Sequence, residues 1–132
     1  LGIPAAENYE KGSAALYIYD MEVYNGKLYI GEEDVLDVPG VADQPVTVGI
    51  RPEGFVPNAE GALECALNNV EVMGRDVSVV SKHPASQNPV VRSIVDADYN
   101  IDKNSETVKF SLKPHKVFLF DLETEERIYF EV

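Results

Sequence analysis

Short apolar runs recur along the chain at period two, each closed by Gly, Pro or Asn. Nowhere do apolar residues hold the i, i+3, i+4, i+7 spacing of an amphipathic helix for more than a turn or two. This pattern predicts an all-β domain. The stretch from Ala14 to Tyr24, rich in Tyr, Ile and Val, reads as the first strand, and Asn25-Gly26 separates it from Lys27-Leu28-Tyr29-Ile30. An Asn-Gly pair suits the type I′ turn, which needs positive φ at both central positions, so these two strands should form a hairpin. Beyond Pro39-Gly40, the residues Val46, Val48 and Ile50 alternate with Thr47, Gly49 and Arg51, which puts one face of that strand in the core. Leu63, Cys65 and Leu67 share one phase while Val70 and Val72 take the other, so a bulge or bend is expected between Asn68 and Asn69.

A turn at Gly74-Arg75-Asp76 leads into a strand over Val77–Ser81. Further strands are expected over Val90–Val95, Val108–Leu112, Val117–Phe120 and Ile128–Phe130. About nine short strands with regular turn punctuation suggest a small barrel or sandwich rather than alternating β and α units. The polar segment Ser81–Asn88 is expected to be the most mobile loop.

The proportions of 45% apolar and 26% charged residues are those of one globular domain over the whole span 1–132. At this mass, area scaling hides roughly two-thirds of the unfolded surface, enough for one core. No stretch approaches the ~18 consecutive apolar residues of a membrane-spanning helix. The sequence opens on Leu1 with no basic segment and apolar run after it, so the chain is read as a piece of a longer soluble protein. The net charge of −12 repels phosphate backbones and anionic lipid, which sets nucleic acid aside as a partner. Cys65 is the only cysteine and no Asn-x-Ser/Thr sequon occurs, so a cytoplasmic location is expected.

Candidate chemistry is sparse. Asp96, Asp98 and Asn100 fall at alternate positions, as in the opening of a calcium loop. Ile101 stands where that loop needs glycine and Thr107 where it needs a bidentate glutamate, so a solvated acidic loop is expected instead. His83 and His115 each adjoin a proline and read as surface turn residues without metal-ligand spacing. Cys65 holds a core-phase strand position and reads as a buried structural thiol. The runs Glu32-Glu33-Asp34 and Glu123-Thr124-Glu125-Glu126 read as solvated faces, although a barrel enzyme using two of the many carboxylates is a rival reading. Neither a Gly-x-x-x-x-Gly-Lys-Ser/Thr loop nor Gly-x-Gly-x-x-Gly is present, so no nucleotide cradle is expected.

Against this background the segment Val46-Thr47-Val48-Gly49-Ile50-Arg51-Pro52-Glu53 resembles the Gly-Ile-Arg-Pro-Glu segment of one module, the carboxy-terminal domain of carbohydrate-import ABC transporter ATPases of the maltose and glycerol-phosphate type. Leu1-Gly2-Ile3-Pro4-Ala5 is similar to the junction behind the family's ATPase domain, and Asn25-Gly26-Lys27-Leu28-Tyr29 to its first hairpin. Val70-Glu71-Val72-Met73-Gly74-Arg75-Asp76 is similar to a later turn, and Phe120-Asp121 with Thr124 and Arg127-Ile128 to the closing hairpin. Glu125 stands where the family has the closing turn's glycine, so that turn must change or hold Glu125 in the left-handed region. The segment Lys11–Asp20 is longer than the family linker, and Ser81–Asn88 has no counterpart.

The resemblance implies an OB-like barrel of the TOBE type that regulates and dimerises the ATP-binding subunit of a sugar importer. It implies no cofactor in this span, with ATP and Mg²⁺ belonging to an absent N-terminal ATPase domain. The partners implied are a second copy of the domain, the ATPase domain in cis, the permease subunits indirectly and a regulatory protein, at the cytoplasmic face of the membrane. The structural or interface residues it singles out are Arg51, Pro52, Glu53, Gly74, Phe120 and Asp121. Arg51, held at a strand end by Pro52, is expected to pair with Glu53 or Asp121. Tyr17, Tyr19, Tyr24 and Tyr29 cluster in the first hairpin, where they serve either core packing or a dimer contact. The alternative is a barrel that binds a small oxyanion or an oligosaccharide, with the negative charge opposing anions unless a nest of backbone N–H groups overrides it.

Overall fold

The computed structural model describes residues 16–96, 98, 99 and 101–130. Its strands are β1 (Tyr17–Tyr24), β2 (Lys27–Ile30), β3 (Glu33–Asp37), β4 (Gln44–Ile50), β5 (Phe55–Pro57) and β6 (Leu63–Met73). They continue with β7 (Asp76–Lys82), β8 (Val91–Asp96), β9 (Thr107–Leu112), β10 (Val117–Asp121) and β11 (Arg127–Ile128). One antiparallel sheet runs β11-β10-β4-β1-β2-β3. The other runs β5-β9-β6-β7-β8 and curls until its edges β5 and β8 nearly meet, giving an all-β, OB-like barrel arrangement. Among the described residues no helix is long and apolar enough to cross a membrane.

The alternating phase sets the core. Val46, Val48 and Ile50 of β4 pack with Tyr19, Met21 and Val23 of β1 and with Val117 and Leu119 of β10, facing Leu63, Cys65, Val79 and Phe110 of the second sheet. Asn25 and Gly26 both have positive φ (54° and 74°), as a type I′ turn requires. The β6–β7 register slips between Leu67 and Asn69, which leaves Asn68 as the extra residue of a bulge and moves Val70 onto the core side.

Eleven strands replace the nine expected among the described residues. In β3, Val35 and Leu36 are adjacent rather than alternating and acids flank them, so a paired edge strand reads as a solvated acidic turn. In β5 the three residues Phe55, Val56 and Pro57 are too few to show any period. The first strand begins at Tyr17, and the closing strand ends at Ile128 rather than Phe130. Ala14, Leu1–Ala5 and the first half of Lys11–Asp20 lie outside the described residues.

The segment beyond β7 is docked rather than loose. Ser81 and Lys82 belong to β7, and Ala85–Asn88 lie along the free side of β1. The Asp20 N–H donates to the Ala85 carbonyl (3.0 Å), the Gln87 N–H to the Ile18 carbonyl (2.7 Å) and the Ile18 N–H to Asn88 Oδ1 (2.9 Å). Residues 85–88 thereby satisfy the part of β1 that β2 is too short to cover.

The closing turn does hold Glu125 in the left-handed region, at φ 64°. Its backbone N–H donates to the Asp121 carbonyl (2.9 Å), and the Asp121 N–H donates to the Glu126 carbonyl (2.8 Å), which fixes the conformation. Glu125→Gly removes the Cβ clash at some cost in unfolded-chain entropy, and should raise stability by about 0.5–1 kcal/mol in urea titration followed by circular dichroism.

Candidate functional site

The chain crosses between the sheets at one corner twice, from β4 to β5 and from β9 to β10. Each crossing is a single 3₁₀ turn opened by proline, Pro52–Gly54 and Pro114–Lys116. The two turns interlock. The Arg51 N–H donates to the Lys116 carbonyl (3.1 Å) and the Lys113 N–H to the Gly54 carbonyl (2.9 Å). Pro52 is buried and fixes φ just after β4, so Arg51 and Glu53 project from a rigid strand end. Glu53 Oε2 lies 3.2 Å from Arg51 Nε and 3.5 Å from Lys116 Nζ, one carboxylate held between two cations. Of the two carboxylates expected for Arg51, Glu53 is the one in this pair.

Asp121 instead caps its own turn, accepting from the Glu123 (2.9 Å) and Thr124 (3.0 Å) backbone N–H groups. Those donors, Thr124 first, hold its carboxyl below the usual carboxylate range. Phe120 is 1% exposed on the face opposite Leu119, in a small second cluster with Leu16, Ile18 and Phe118. Across the strand pair Arg127 stacks between Phe118 (4.4 Å to the ring centroid) and Tyr129 (4.6 Å). Gly74 makes the tight β6–β7 turn at φ 71°. None of Gly74, Phe120 or Asp121 lines the corner.

The tyrosines divide. Tyr19 is fully buried, and its hydroxyl finds no hydrogen-bond partner among the described residues; an interface role is closed to it in this structure. Burial raises its pKa strongly. Tyr24 is exposed and meets Tyr29 edge-on at 6.3 Å. Tyr17 is half-buried at the opposite end of β1, paired in register with Ile50 at the corner.

Tyr17 joins the corner to the second sheet. A shallow cavity of about 610 Å³ has Tyr17, Pro52 and Glu53 on one side and Arg92, Ile94 and Asp96 on the other. Residues singled out from two separate stretches of sequence, Tyr17 and the adjacent Pro52 and Glu53, thus share one surface. The residues of β8 that meet them carry no sequence signal beyond ordinary alternation. Arg92 is already engaged, its Nη1 lying 2.6 Å from Glu71 Oε1. Register places Glu71 opposite Ser78 and Arg92 opposite Val80, so this ion pair straps across β7 and lies over two buried outward positions.

The remaining candidates resolve simply. Cys65 is a buried free thiol, pushed up to about 11 chiefly by burial and so not a nucleophile at neutral pH. Asp96 Oδ1 accepts the Asp98 N–H (2.8 Å) in an ordinary turn, and Asn100 lies outside the described residues. Among the described residues no three His, Cys, Asp or Glu side chains converge as metal ligands. His115 is exposed as expected, whereas His83 is half-buried with its ring edge-on to Tyr19 at 5.9 Å. No known family model matches the chain, and no curated protein matches it.

His83 carries a pH dependence. Its Nδ1 accepts the Ala85 N–H (3.0 Å), which fixes the neutral ring with its proton on Nε2, and burial lowers its pKa from 6.5. Below that value the unfolded chain takes up the proton first, so stability is complete above pH 6.5 and falls with pH until the folded pKa is passed. The loss of stability between about pH 7.5 and 5.5 should shrink in His83→Asn, as read from urea midpoints.

Proposed function

We propose that this chain is a non-catalytic barrel module acting by protein–protein contact. In this reading it is the regulatory and dimerising domain behind the ATP-binding subunit of a carbohydrate ABC importer, at the cytoplasmic face of the membrane. The observation that carries the reading is the corner at Arg51-Pro52-Glu53. The segment that resembles the importer family forms interlocked, proline-opened turns that hold Glu53 between two cations beside Tyr17, a rigid partly exposed surface suited to docking. ATP hydrolysis belongs, in this reading, to another domain.

Isothermal titration separates protein contact from small-ligand binding. Molybdate, sulfate and maltooligosaccharides added to the chain should give only heats of dilution. A saturable micromolar heat for any of them would replace the proposed function with a ligand-binding one.

A further inference from the structure

The cavity beside Tyr17 has a floor and walls of different chemistry. Its floor is apolar, from buried Pro52 and Val95 and half-buried Ile94, with the Tyr17 ring along one side. Its rim is acidic: Glu53 stands on one wall, and Asp76 and Asp96 on the other. Asp76 and Asp96 are directly opposite each other in the β7–β8 register, both exposed, with like charges at a spacing that disfavours the pair. The one cation in this lining, Arg92, pairs with Glu71, and Glu53 is held by Arg51 and Lys116; the adjoining recess sets Arg75 against the three carboxylates Asp76, Asp96 and Asp98. The net charge of the groove's far wall is therefore negative, in a chain that carries −12 overall.

An apolar floor with carboxylates in excess of cations at its rim complements an extended segment whose apolar and cationic side chains alternate. The apolar side chain displaces water over Tyr17, Pro52 and Ile94, and a Lys or Arg on either side reaches Asp76 and Asp96. We infer that this groove docks a basic, apolar-alternating peptide segment of a partner protein. The inference rests on the reading of the chain as a protein-contact module and names the chemistry of one partner.

The test is a nitrogen–proton NMR titration of the whole chain with three probes: acetyl-Lys-Leu-Lys-Leu-Lys-amide, its Lys-Ser-Lys-Ser-Lys counterpart and its Glu-Leu-Glu-Leu-Glu counterpart. The first should give saturable shifts concentrated at residues 17, 53, 54, 76 and 92–96. The serine peptide should bind at least fivefold more weakly and the acidic peptide not at all. In the double variant Asp76→Asn with Asp96→Asn, whose amides retain the Oδ1 acceptor used by Asp98, affinity should fall about tenfold while spectral dispersion stays that of the parent chain. Shifts that do not saturate, shifts spread evenly over the acidic surface, equal binding of the leucine and serine peptides, or unchanged affinity in the double variant would each overturn the inference. Sedimentation of the parent chain and of the double variant keeps the two readings apart. In the parent chain, self-association without saturable binding of any of the three peptides removes the groove's role alone, whereas in the double variant weakened peptide binding with unchanged self-association is the result expected.

Discussion

Phe55→Ala should lower stability by about 4–5 kcal/mol, the largest effect of any single change considered for this chain. Phe55 is 2% exposed and stands in the middle of an aromatic row that crosses the barrel. Its ring centroid lies 6.5 Å from Tyr19 of β1 and 5.3 Å from Phe110 of β9, so one side chain couples the two sheets. Truncation leaves a cavity under the corner and removes two aromatic pairs, each contributing about 0.5–1.5 kcal/mol beyond burial. Typical domains have about 5–15 kcal/mol in total, so the variant should sit near the edge of folding at 37 °C. With no tryptophan in the chain, urea unfolding is best followed by far-ultraviolet circular dichroism. Phe55→Leu, which refills most of the space, should cost about 1–2 kcal/mol. Near-equal costs for alanine and leucine would contradict this packing account.

Gly61→Ala should cost about 3 kcal/mol for a different reason. A Cβ at Gly61 would meet the Phe110 carbonyl carbon and oxygen, both under ordinary contact, and the Ser111 nitrogen at 2.9 Å. Those atoms are backbone of β9, which is hydrogen-bonded to β5 on one side and β6 on the other, so they cannot yield without disturbing both ladders. Gly49→Ala is the control. There the nearest atom is Cδ1 of Leu16 at 2.7 Å, the end of a flexible side chain that can change rotamer, so the expected cost is below about 1.5 kcal/mol. Thermal denaturation of both variants checks the order. A Gly49 variant less stable than the Gly61 one would show the clash argument to be wrong.

These two positions also mark where sequence reading succeeds and where it stops. Gly49 lies in a strand whose alternation is plain, and the Asn25-Gly26 turn and the bulge at Asn68 follow from local chemistry and phase, so all three were legible. Gly61 looks like any loop glycine, because its constraint comes from β9, some fifty positions away in the chain. The same limit hid β3 and β5, whose strand character comes from pairing with β2 and β9 rather than from their own pattern. It also disguised residues 85–88 as a free loop, since only the exposed side of β1 gives them partners. At the candidate site, the two-residue spacing of Arg51 and Glu53 made their pairing readable. The second cation, Lys116, and the far wall of β8 come from parts of the chain that only the crossing of the sheets brings near. The aromatic cluster of the first hairpin was readable as a group. Its division into a buried Tyr19, an exposed Tyr24 and a Tyr17 at the groove depends on which strand lies opposite each.

The claim that this module works by contact with other protein chains, including a second copy of itself, is tested most directly by sedimentation equilibrium. The measurement spans a wide protein concentration series at about 150 mM salt, where repulsion between like-charged copies is screened over about 8 Å. The account predicts an apparent mass that rises with concentration from 14.6 kDa toward twice that value. A mass that stays at 14.6 kDa up to the highest concentration would contradict the dimerising role.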